Sequence, residues 1–74
     1  MNIYILIPTN GGQELNYNHT IQRPLKEVKL FGEFMRDQLK PILTQGSIGM
    51  VIQNQSGKEI ASLPPTGHKW EEKQ

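Results

Sequence analysis

Few side chains in this 74-residue sequence could carry acid–base or nucleophilic chemistry. There is no cysteine, which excludes disulfides and thiolate zinc sites. The two histidines, His19 and His68, lie too far apart in sequence for a local metal-ligand spacing. Ser47 and Ser56 sit near glycines, but "GSIG" is not the G-x-S-x-G turn that presents a nucleophilic serine. "NGGQ" is too short, and wrongly patterned, for a phosphate-binding loop. "HKWEE" (68–72) places His68 beside Glu71 and Glu72, yet in a polar tail that has nothing to preorganise a site. The sequence therefore predicts no enzyme, no metal site and no cofactor.

One stretch imitates a processing signal. "LPPTG" (63–67) fits the L-P-x-T-G pattern that sortases cut. Such a signal needs an apolar membrane stretch and a basic tail after the motif, whereas "HKWEEKQ" follows here. "NIYILIP" is too short for a membrane helix, and it has no basic region before it or small-residue cleavage site after it. The expectation is a cytoplasmic protein without membrane association, in which "NHT" and "NQS" are not glycosylation acceptors.

What remains is binding, and two sets of residues could do it. Arg23, Lys26, Lys29, Arg36 and Lys40 hold five of the eight positive charges in one segment. That face could follow a phosphate backbone, with Tyr4 or Tyr17 as a stacking platform. Glu27, Glu33 and Asp37 interrupt it, as on an ordinary solvated helix, and the net charge of +1 gives no global attraction to nucleic acid. The second set is apolar. Leu30 and Phe34 stand four residues apart among Glu27, Asp37 and Gln38, off the main apolar stripe of their segment. Trp70, the single tryptophan, sits among charges in the tail. It is expected either to fold back on the domain or to anchor a partner.

The elements that must position these residues are legible from periodicity. Residues 2–7, "NIYILI", are β-branched and aromatic and apolar on both faces, as in a central strand. Asn10-Gly11 predicts a type I′ turn with both residues at its centre. "ELNYNHTIQ" then alternates, with Leu15, Tyr17, His19 and Ile21 on one face, and predicts one returning strand. Pro24 opens a helix. Its core stripe is Leu25, Val28, Phe31, Met35, Leu39 and Ile42. Lys26, Lys29, Glu33, Arg36, Asp37 and Lys40 lie opposite, with Lys29–Glu33 and Glu33–Arg36 spaced to pair on its surface. Pro41 and Gly46 end it. "IGMVIQ" (48–53) and "KEIASL" (58–63) read as two strands joined by "NQSG", and Pro64-Pro65 starts an extended tail. "ILIPTNGGQEL" (5–15) also aligns without gaps on "MVIQNQSGKEI" (50–60), which supports reading both as hairpins.

These elements give a two-layer α+β domain over 1–63, ββαββ, with one helix on one face of a four-stranded, mainly antiparallel sheet. Residues 64–74 form a flexible polar tail. One helix covers one sheet face, and a chain this short buries only about 60% of the surface its unfolded form exposes. A second copy or a protein partner is therefore the expected extra stabiliser. The functional expectation is a regulatory or protein-binding module, a homodimer contacting through Leu30 and Phe34 with Trp70 in support. The alternative is a nucleic-acid binder using the basic residues above.

Overall fold

The structure is a computed structural model and describes residues 3–11, 13–16, 18–39, 48–67 and 69–73. The elements run β1 (Tyr4–Asn10), β2 (Gln13–Glu14), β3 (His19–Ile21), α1 (Leu25–Leu39), β4 (Ile48–Gln53), β5 (Glu59–Leu63) and β6 (Glu71–Glu72). The strands form one antiparallel sheet ordered β2-β1-β4-β5-β6, with β3 also pairing with β1 on the side of β2. α1 lies across one face, so the fold is α+β as expected. The sheet has six strands rather than four, because the return strand is split and the tail adds a strand.

Strand alternation decides what the helix covers. Tyr4 and Leu6 of β1, Met50 and Ile52 of β4, and Ala61 and Leu63 of β5 meet Val28 of α1 in the core. The register confirms one shared face: Leu6 opposes Ile52, Ile52 opposes Ala61, and Met50 opposes Leu63. β1 is apolar on both faces, as its sequence predicts for a central strand, and Ile7 on the opposite face is buried as well.

The first hairpin departs from its sequence reading in an instructive way. Asn10 pairs with Gln13, so the two-residue turn is centred one position later than Asn10-Gly11 suggests. Among the described residues every positive φ belongs to a glycine, and Gly11 takes φ +63°. Asn10 instead finishes β1. The return strand then breaks: Thr9 opposes Glu14, but Leu6 opposes His19, two residues out of the first register. An insertion of two preserves side-chain parity. His19 and Ile21 therefore still face the helix, where the unbroken alternation places them.

The second hairpin closes on an asparagine cage. The Asn54 side-chain carbonyl accepts hydrogen bonds from the backbone N–H groups of Ser56 and Lys58, each 3.0 Å, and from the Ser56 hydroxyl at 2.8 Å. Gly57 sits at φ +85°, the position such a loop reserves for glycine.

The helix begins where Pro24 places it, with the Pro24 carbonyl accepting from Val28 N at 3.1 Å. Its orientation differs from the sequence reading. The buried stripe is Val28, Gly32 and Arg36, with Leu25, Met35 and Leu39 only partly buried and Phe31 exposed. At 3.6 residues per turn, this is a rotation of about 35° from the predicted apolar stripe. Ile42, the predicted last member, lies outside the described residues.

The C-terminal segment accounts for the rotation. It does not hang free: β6 pairs with β5, Ala61 opposing Glu72, and Trp70 joins the margin of the core. Trp70 Cζ2 and Cη2 lie against the helix where Gly32 has no side chain. A Cβ on Gly32 would come within 2.9 Å of the Trp70 ring and 3.2 Å of Leu6 Cδ1. Gly32→Ala should therefore displace the indole and cost about 1–3 kcal/mol by overpacking, despite a helix-propensity gain of about 1 kcal/mol. Because Trp70 is the single tryptophan, its emission should shift to the red in that variant. Unchanged emission together with raised stability would show that the indole does not sit there.

Candidate functional site

The basic face predicted from sequence is taken apart by the fold. Arg36 is 1% exposed. One terminal nitrogen of its guanidinium donates to the Pro64 carbonyl at 2.9 Å and to the Gly67 carbonyl at 2.5 Å, while Nε lies 3.4 Å from Asp37 Oδ1. Lys29 bonds to Glu72 across the helix–tail contact. Arg23 and Lys26 are exposed, and Lys40 lies outside the described residues. The predicted surface pairs Lys29–Glu33 and Glu33–Arg36 are replaced by tail partners. Lys29 meets Glu72, Glu33 Oε2 stands 3.4 Å from the Trp70 indole nitrogen, and Arg36 holds the 64–67 turn. Tyr4 is buried in the core and offers no stacking face, and Tyr17 lies outside the described residues.

Among the described residues the chemistry-bearing side chains are not assembled into a site. His19 is exposed on the helix side of β3, its ring edge-on to Phe31 with centroids 6.2 Å apart. Ser56 is occupied in the Asn54 turn. Ser47 and His68 lie outside the described residues. Among the described residues no group of three potential ligands converges on a metal position. An open hollow of about 480 Å³ at the end of the sheet is lined by Ile3, Tyr4, Asn54, Gln55, Ser56 and Ile60, without a carboxylate, imidazole or cation. No helix among the described residues is long and apolar enough to cross a membrane.

One surface stands out. Leu30 is 59% exposed, Phe34 61% and Phe31 41%, and these are the exposed large apolar side chains of the described structure. Leu30 and Phe34 lie about 160° round the helix from Gly32, one on either side of the direction opposite the sheet. They are thus at the outer pole of α1, in solvent, off the apolar stripe as their spacing predicts. The same rotation that buries Arg36 lifts Phe31 out of the predicted core stripe to join them. Trp70, the third apolar candidate, is partly buried on the flank of the helix and belongs to the strap that sets its orientation.

Two features make the pole a better contact surface than the sheet. The edge strands are two or three residues long, and the outermost, β6, consists of two glutamates, a composition that discourages edge pairing. On the face away from the helix, Ile7 is buried, Ile5 and Val51 are half-buried, and Glu59 and Lys73 pair at 3.3 Å. The fold and the surface together define a small α+β domain that presents an apolar helix pole. No family model matches the chain, and comparison with curated proteins and with solved structures gave no match either.

Arg36 can be tested as the fastener of this arrangement. Arg36→Met should cost about 2–4 kcal/mol, because two carbonyls lose a charged donor in a buried setting. Arg36→Lys should recover only part of this, since an ammonium cannot reproduce the planar fork. Urea unfolding followed by Trp70 emission measures both. A loss under about 0.5 kcal/mol for Arg36→Met would mean the network contributes nothing.

Proposed function

We propose that this protein is a non-catalytic protein-interaction module whose contact surface is the outer pole of α1, Leu30, Phe31 and Phe34, and that it associates with itself through that surface. The observation that carries the reading is the exposure of three large apolar side chains adjacent on one helix, Leu30 and Phe34 pointing away from the core and Phe31 half-exposed on the flank beside them. Single exposed leucines are ordinary on protein surfaces, but a contiguous apolar cluster marks an interaction site. Aromatic residues at the centre of such a patch are the type that dominates binding energy. The small core gives a second reason, since association adds apolar burial to a domain of marginal size. Nucleic-acid binding is less well supported, because Arg36 is buried and Lys29 is paired within the fold.

Replacing Leu30 and Phe34 together by aspartate should abolish association and leave the fold intact. The wild-type protein should sediment as a dimer at high concentration, and the double variant as a monomer with unchanged far-ultraviolet circular dichroism. Loss of the dichroism signal would make both residues core and end this reading. So would a variant that still associates.

A further inference from the structure

Resting on that reading, we infer that the partner is a second copy of this chain, docked with its helix antiparallel to the first. The inference comes from the charges and the exposed Phe31 that flank the apolar pole. Lys26 and Asp37 are both exposed and lie on the same flank of the pole, beside Leu30 and Phe34. They are eleven residues apart in sequence, about three turns or roughly 16 Å along the axis. A twofold axis relating two antiparallel, face-to-face helices carries each flank onto the same flank of the second copy. If the axis passes between Phe31 and Gly32, Lys26 of one copy meets Asp37 of the other, and the reverse pair forms at the opposite end.

The same register serves the apolar residues. Leu30 of one copy then sits within about one residue rise, 1.5 Å along the axis, of Phe34 of the second. The two contacts repeat across the axis and fill the spaces between side chains on each helix. Phe31 lies nearest the twofold on the other flank, so the two Phe31 rings meet each other. Glu27 on that flank faces Gln38 of the second copy, which places no like charge opposite it. A twofold parallel to the helices would instead bring opposite flanks together, setting Lys26 beside Glu27 of the second copy, Asp37 beside Gln38, and the two Phe31 rings on opposite sides of the pair. Both arrangements give Lys26 a carboxylate, but only the antiparallel one also covers the half-exposed Phe31 of each copy with that of the other.

The pole has room for this. It points away from the sheet, while Trp70 and Glu72 lie on the side of the helix nearer the core. The product is a four-layer sandwich, sheet–helix–helix–sheet. A single helix pair is smaller than a standard interface of about 800 Å² per partner, so the dimer should be weak and reversible, with the rim charges fixing register more than affinity.

Charge exchange tests the register. Lys26→Glu alone and Asp37→Lys alone each place two like-charged pairs across the interface, and each should weaken self-association about tenfold. Mixing the two variants in equal amounts should restore a dimer, because the mixed pair recovers both opposite-charge contacts. Asp37 also lies 3.4 Å from Arg36, so the second variant is checked by circular dichroism and backed by a neutral pair. The chain has no cysteine, so Lys26→Cys and Asp37→Cys chains can be joined by a short bis-maleimide. Cross-linking of the mixture, with little in either variant alone, is the expected result. Cross-linking of each variant with itself, or no effect of charge reversal, overturns the antiparallel dimer. If the Leu30/Phe34 double variant still dissociates the complex in that case, the helix pole stands as the contact surface and only the register is wrong. A wild-type chain that stays monomeric up to about 1 mM overturns self-association altogether.

Discussion

The structure depends on a buried guanidinium. Arg36 reaches from the helix to the carbonyls of Pro64 and Gly67, and so ties the end of β5 and the following turn to α1. A buried cation is tolerable only when its donors are met, and backbone carbonyls meet them without adding an opposing charge to the interior. With Arg36 turned inward, Gly32 must face the sheet side as well, four residues earlier on the same stripe. That places a residue without a side chain where Trp70 can lie against the helix. Lys29 and Glu72 close the same seam nearer the helix start. The helix thus packs on the sheet with one flank and on the C-terminal segment with the next.

This double contact sets what is left for function. A helix that buried the stripe richest in apolar residues would have covered Phe31 and left Leu30 and Phe34 at unequal distances from the core. Rotated toward Arg36, it presents Leu30 and Phe34 on the far side, with Phe31 half-exposed on the adjoining flank. The apolar pole is therefore a consequence of how the tail is fastened. The basic residues that the sequence groups into one face are divided between the interior, the tail contact and the surface.

Local signals in the sequence were read well where one interaction decides the outcome. β1 as a two-sided apolar strand, the helix start at Pro24, and the Asn-Gln-Ser-Gly turn all depend on neighbouring residues. The split of the return strand into β2 and β3 was not legible, because an insertion of two residues leaves alternation in phase. The turn at Gly11 was misplaced by one position, since Asn10 resembles a turn residue and is claimed instead by pairing with Gln13 and Ile48. The docking of the tail is not legible in the sequence because its ties are long-range: Trp70 to Gly32, Glu72 to Lys29, and Gly67 to Arg36. A glycine in mid-helix opposite a lone tryptophan is the one hint that was present. Leu30 and Phe34 were found by their mismatch with the stripe, but Phe31 was assigned to the core because periodicity alone cannot register the rotation.

The measurement that tests this account most directly is a dilution series of amide resonances by two-dimensional nuclear magnetic resonance. If the helix is held as described and its pole is the contact surface, residues 26, 30, 31, 34 and 37 shift with concentration, while Gly32, Trp70 and the Asn54 turn do not. Shifts confined to the sheet edges or to the face away from the helix would contradict the account. So would shifts at Gly32 and Trp70, which would show that the tail is released and that Arg36 does not hold the helix in place.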